Sequence, residues 1–204
     1  MIELDEVKVN EILSQKGFKI IREYANKISQ NNIEKDCFEL AMNLYNNEDY
    51  RINELGIFIL CNIANAYPKA LEFLKNEVSQ NTNWEIQEIL AMAFDTYCQK
   101  NGYEESLGEI EKWLSNENPN TRRAVTEGLR IWTSRPYFKD NPKIAIDIIS
   151  NLKNDSSEYV RKSVGNSLKD ISKKYPELIK EELAKWDLKS KEENQVYKYA
   201  IKKL

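Results

Sequence analysis

PNTRRAVTEGLRIWTSRPYFKDNPKIAIDIISNLKNDSSEYVRKSVGNSLKDISKKY, residues 119–175, decides the fold. It reads as two long amphipathic helices with a short one between them, and the long helices repeat one pattern. A shift of 39 residues lays Val125 on Val164, Glu127 on Asn166 and Leu129 on Leu168. The same shift backwards places Ile86 under Val125, Glu88 under Glu127 and Leu90 under Leu129. Setting Tyr50 under Trp84 then aligns Ile52 with Ile86, Asn53 with Gln87 and Glu54 with Glu88, which gives a fourth copy. A two-helix unit of roughly 40 residues cannot bury its apolar face alone, so successive copies must stack on one another.

Composition agrees with an all-helical chain. Six Gly and five Pro among 204 residues, with 41% hydrophobic and 31% charged, leave too few turn residues for a β-sandwich and too much apolar content for disorder. The expected fold is all-α, a right-handed α-solenoid of about five HEAT-like helix pairs forming one domain over residues 1–204. Its concave face is expected to be built from the second helix of each pair. LGIFILC at 55–61 is the longest apolar run, far short of the roughly 20 residues that span a bilayer. The acidic start MIELDEVK is no secretory signal, so the cytoplasm and no membrane contact are expected.

Cys37, Cys61 and Cys98 lie far apart inside apolar helical stretches and read as free buried thiols. The chain has no histidine, which removes Ser-His-Asp and Cys-His catalysis and every histidine-containing metal site. Neither a metal nor a cofactor is expected. Charge is unevenly spread: residues 1–120 carry 11 Lys and Arg against 21 Asp and Glu, and residues 121–204 carry 19 against 12. The basic half suits an anion, nucleic acid first, although two halves that merely offset each other would look the same.

Along the chain, helix ends are expected at Gly17, at Asn46-Asn47, before Pro68 and at Asn101-Gly102, with Asn83 capping the helix that carries Glu88. Asn118-Pro119 opens the next long helix, which is expected to run to Arg135-Pro136. Trp84 and Trp113 are expected in the core, and Trp186 against the last repeat.

Equivalent positions of stacked helices form ladders, and Glu54, Glu88, Glu127 and Asn166 share one. Arg123, Glu127, Arg130 and Ser134 continue that face on one helix; Lys162, Asn166, Asp170 and Lys173 continue it on another, at spacings of three and four. Such a row of carboxylates bordered by cations can be plain ion pairing between units, or a surface on which cations hold phosphates while carboxylates face something cationic.

TRRAVTEGLRIWTSRPYF followed by SEYVRKSVGNSLKDISKKYPEL resembles the HEAT-like-repeat DNA glycosylases of bacterial alkylation repair, the AlkC and AlkD types, with residues 84–186 closest to the AlkC-type core. The resemblance implies a monomeric, metal-free enzyme acting on double-stranded DNA and hydrolysing the N-glycosidic bond of bases alkylated on a ring nitrogen. It places active-site carboxylates at Glu88, Glu127 and Asp170 and a cleft tryptophan at Trp132, with Tyr137 or Phe138 as substitutes because RIWTSRPYF departs from the family's RPRLPW. Backbone-holding positions fall on Arg123, Arg130, Arg161 and Lys162, and Arg135, Asn166, Lys169 and Lys173 complete the basic stripe. A cationic alkylated base is already a good leaving group; negative charge near the sugar and an aromatic face are what help it depart. A DNA-binding relative without catalysis and a protein-binding scaffold stay open as alternatives.

Overall fold

The computed structural model describes residues 2–204, which fall into two compact units, Met1–Lys100 and Asn101–Leu204. The first unit contains α1 (Glu6–Ser14), α2 (Lys19–Asn31), α3 (Glu34–Tyr45), α4 (Tyr50–Ile63), α5 (Pro68–Asn76) and α6 (Trp84–Asn101), which closes it. The second contains α7 (Leu107–Leu114), α8 (Pro119–Gly128), α9 (Pro136–Asp140), α10 (Pro142–Ser150), α11 (Glu158–Ser172), α12 (Pro176–Leu183) and α13 (Lys191–Ala200). No strand occurs among the described residues.

Local sequence sets the boundaries. All five prolines stand at the first position of a helix, where the missing N–H is one that the helix cannot use anyway. Side chains of Asp5, Asp49, Asn118 and Ser190 cap α1, α4, α8 and α13. Asn83 Oδ1 accepts from the Glu85 N–H at 2.9 Å, the cap expected for α6. In the first unit α4 is the central helix, packed on α2 and α3, and every residue of LGIFILC is buried. The three cysteines are buried and lie outside any disulfide.

The repeat is visible in hydrogen bonds as well as in packing. Asn53 Nδ2 donates to the carbonyls of Leu44 and Asn47, and its counterpart Gln87 donates to those of Val78 and Asn81, in each case nine and six residues back. In the second unit arginines do this work. Arg122 Nη1 donates to the carbonyls of Asn116 and Glu117, and Arg161 Nη1, 39 residues on, donates to those of Asp155 and Ser156. Each side chain closes the loop ahead of its own helix by satisfying carbonyls that would otherwise be partly buried and unpaired.

Gly165 marks the closest approach of α11 to α13. A Cβ there would lie 2.5 Å from Tyr199 Cβ and 3.0 Å from the Val196 carbonyl oxygen, neither of which can swing aside. Gly165→Ala is therefore expected to destabilise the chain by about 1–3 kcal/mol despite alanine's better helix propensity, measured by urea denaturation.

A carboxylate of the expected ladder is instead part of the core. Glu54 is fully buried, its Oε2 2.6 Å from Nη1 of Arg51, whose other nitrogens reach the carbonyls of Ile12, Gln15 and Gly17. It ties the end of α1 to α4 and presents nothing to a ligand. Burial outweighs the attraction of Arg51 and lifts the Glu54 carboxyl to about 7. Between its ordinary value of 4.5 and about 7, folded Glu54 keeps a proton that the unfolded chain has lost. Its stabilising share is thus complete below 4.5 and gone once pH has risen through about 7. Glu54→Gln is expected to gain stability relative to the parent by on the order of 2 kcal/mol between about pH 5 and about pH 8, read from denaturation curves across that range.

Candidate nucleic-acid and excision site

Helix α8 stops at Gly128, well before the expected end at Arg135. Leu129 and Arg130 leave the helix, Ile131 takes a left-handed conformation (φ 56°), and Trp132–Ser134 form a 3-10 turn. The turn drives Trp132 inward: its side chain is 0% exposed and meets Phe138 edge-on, ring centroids 5.0 Å apart. Trp132 is therefore a core residue, contrary to its expected place in a cleft. Phe138, packed also against Tyr103 and Tyr137, is equally buried and cannot stand in for it. Ile131, half-exposed and β-branched, is strained in that conformation. Ile131→Gly is expected to stabilise the chain by about 1 kcal/mol, seen as a raised melting temperature.

The same turn places Arg130 between two carboxylates. Arg130 Nη1 lies 3.5 Å from Glu127 Oε2, and its Nε lies 3.1 Å from Asp170 Oδ2. Lys173 Nζ approaches Asp170 Oδ1 at 2.6 Å. Burial alone would raise the Asp170 carboxyl, but the bonds from Lys173 and Arg130 outweigh it and hold it below its ordinary range. Asp170 is buried, while Arg130 and Lys173 are 43% and 55% exposed. The carboxylates orient the cations; the cations face outward. Beside them a cavity of about 330 Å³ is lined by Ile131, Thr133, Ser134, Lys139, Asp170, Lys173 and Lys174. Lys139 and Lys174, which sequence reasoning did not single out, add two exposed positive charges.

Other members of the predicted basic stripe separate into two groups. Lys162, half-exposed, pairs with Glu158 on its own helix, and Lys169 Nζ donates to Asn166 Oδ1 at 2.7 Å; both sit on the α11 surface. Arg123 is half-buried on α8. Arg161, besides closing the loop ahead of α11, donates from Nε to Gln195 at 2.8 Å. Arg135 Nη2 donates to the carbonyl of Gly128 at the end of α8.

In the first unit, Trp84 overturns the expectation of a core residue. It is 70% exposed, at the first position of α6, one turn ahead of the half-buried Glu88. Residues four apart share a helix face, so Trp84 and Glu88 lie on the same side of α6. The sequence contained the signal: Trp84 shares its register with Arg123 and Lys162, polar positions in later copies, and with Tyr50, also exposed. Trp113 and Trp186 are buried as expected, each indole N–H donating to a glutamate one turn back.

Among the described residues no group of acidic or cysteine side chains could hold a metal ion, and no helix is long and apolar enough to cross a membrane.

Residues 12–204 match the profile of the DNA alkylation repair enzymes. The crystal structure of AlkD2 from Streptococcus mutans is 47% identical over 97% of this chain and 95% of its own, with a TM-score of 0.91. AlkC from Pseudomonas fluorescens, an alkylpurine DNA glycosylase solved on DNA containing an abasic site analogue, is 17% identical over 96% of this chain and 55% of its own, with a TM-score of 0.71. The likeness to AlkC thus stands at the level of the fold, that of stacked HEAT-like repeats, while the high identity is with AlkD2. An uncharacterised Bacillus subtilis protein, YhaZ, is 37% identical over 87 residues, a stretch covering 41% of this chain and 24% of that relative. The likeness expected for residues 84–186 extends over nearly the whole sequence, and the chain belongs to the DNA alkylation repair enzyme family.

Proposed function

We propose that this protein binds double-stranded DNA and hydrolyses the N-glycosidic bond of a cationic, N-alkylated base. The observation that carries the proposal is the exposed Trp84 indole one turn from Glu88. An aromatic face attracts a cationic ring, and a neighbouring carboxylate supports the positive charge that develops on the sugar as the base leaves. Glu88 can also orient the attacking water, and because the base departs as a neutral molecule no general acid is needed. Arg130, Lys173, Lys139 and Lys174 are assigned to phosphates, with Arg123, Lys162 and Lys169 along the same basic half. Glu127 and Asp170 become positioning residues that aim Arg130 and Lys173.

Phosphate contacts release counterions, so binding must weaken steeply with salt. The double variant Arg130→Gln, Lys173→Gln should reduce the log-log salt slope of duplex binding by about 2, at roughly 0.9 per contact. An unchanged slope would remove these side chains from the interface.

A second reading, DNA binding without excision, is favoured by one observation. Arg130 already occupies Glu127 and Asp170, and the aromatic residue expected beside them, Trp132, is buried. Base release from methylated DNA separates the two.

A further inference from the structure

The first unit holds a second candidate site. Helices α2, α4 and α6 enclose a groove of about 420 Å³, open to solvent and lined chiefly by polar side chains. Phe58, Cys61 and Met92 form its floor, Arg22 and Lys100 stand among its walls, and no carboxylate lines it. That is notable where it occurs, because residues 1–100 carry 16 Asp and Glu against 10 Lys and Arg. A cation in such surroundings would ordinarily find an acidic partner. Among the described residues nothing forms a side-chain hydrogen bond or ion pair with Arg22, and Lys100 Nζ meets the Asn62 carbonyl at 3.0 Å, with donors to spare.

Amides supply the rest of the lining. Asn26, Gln30 and Gln99 are exposed and make no side-chain hydrogen bonds among the described residues, while Asn62 Nδ2 reaches Ser29 Oγ at 3.3 Å. Asn and Gln present a donor and an acceptor side by side, the pair that matches the edge of a nucleobase. The volume exceeds what a lone phosphate fills and lies within the usual range of small-molecule sites. Cys61 is no nucleophile: burial pushes its thiol up to about 12, even with Lys100 and Arg22 pulling it down.

We infer that this groove binds a nucleotide, with Arg22 and Lys100 taking the phosphate and the Asn26 and Gln99 amides meeting the base. The nucleotide is either free or one residue of a nucleic-acid strand. The site is separate from Trp84 and Glu88 and does not depend on excision taking place.

Titration calorimetry with deoxyadenosine 5′-monophosphate, inorganic phosphate and a five-residue single-stranded oligodeoxynucleotide tests it. At least one nucleotide probe should saturate and lose about 10-fold or more in affinity in Arg22→Gln, Lys100→Gln, since each charge-assisted bond contributes at least that much. Loss of monophosphate binding identifies a free nucleotide; loss confined to the oligonucleotide identifies a strand. Asn26→Ala, Gln99→Ala should lower affinity for the nucleotide and leave that for phosphate unchanged. All four positions are solvent-exposed, and circular dichroism of each variant checks that it is folded. The inference is overturned if neither nucleotide probe loses affinity in the Arg22, Lys100 variant, or if inorganic phosphate binds as tightly as the nucleotides.

Discussion

Glu88→Gln is expected to lower single-turnover base release from methylated DNA about 100-fold or more while leaving duplex affinity nearly unchanged. The amide keeps the shape of the side chain and removes its charge. It therefore separates support of a developing cation, which needs the charge, from packing, which does not. Trp84→Ala is expected to act on the same step by about 10-fold, since a partly desolvated cation–aromatic contact contributes on the order of 1–2 kcal/mol. Trp84→Phe, which keeps an aromatic face, should recover part of that loss. Asp170→Asn should behave differently. It releases Arg130 and Lys173 from their shared partner, so it should change DNA affinity and its salt dependence, and should lower base release only in so far as binding falls. A collapse of base release in Asp170→Asn at saturating enzyme, with Glu88→Gln active, would exchange the roles assigned to these two carboxylates.

The second large effect concerns stability. Arg122→Ala is expected to destabilise the protein by about 3–5 kcal/mol, because it strands a buried carboxylate. Arg122 Nε and Nη2 hold the two oxygens of Asp155 at 2.6 and 2.8 Å, with both side chains largely buried, while Nη1 closes the loop ahead of α8. Asp155 in turn accepts from the Ser157 N–H at the start of α11, so one guanidinium ties two repeats of the second unit together. Arg122→Lys should recover little, since an ammonium cannot match the two-pronged geometry. Chemical denaturation measures both variants. A loss below about 1 kcal/mol in Arg122→Ala would place this pair with surface ion pairs, which contribute little.

These two predictions fall on residues that the sequence treated unequally. The 39-residue register was legible because stacked helices demand the same apolar positions in each copy, and Val125 and Val164 are both fully buried. Asn53 and Gln87 aligned by sequence and make the same bonds. What the register could not tell was the direction of a charged side chain. Arg130, Arg135 and Arg161 look alike as members of a basic stripe, yet Arg161 turns back to loop carbonyls and Arg135 to the end of α8. Carbonyl groups leave no trace in a sequence, so a guanidinium that satisfies them resembles one waiting for a phosphate.

The two tryptophans were misplaced for related reasons. Gly128, the last residue of α8, is the one local sign of a stop; Leu129-Arg130-Ile131 after it adds none, and the left-handed Ile131 directly precedes the buried Trp132. A single glycine inside an otherwise helical pattern is tolerated often enough that it does not by itself mark a break, and tertiary packing decides. Residue type favours the core for Trp84 while its register points outward; where the two disagree, register is the better guide.

The measurement that bears most directly on the proposed activity is release of free base by the unaltered protein, in excess over lesions, from duplex DNA treated with a methylating agent. The excision reading predicts single-exponential release well above the spontaneous rate, abolished by Glu88→Gln. Release no faster than the spontaneous rate, with duplex binding intact and salt-dependent, would contradict it and leave a DNA-binding protein of the repair family whose Arg130 keeps its carboxylates occupied.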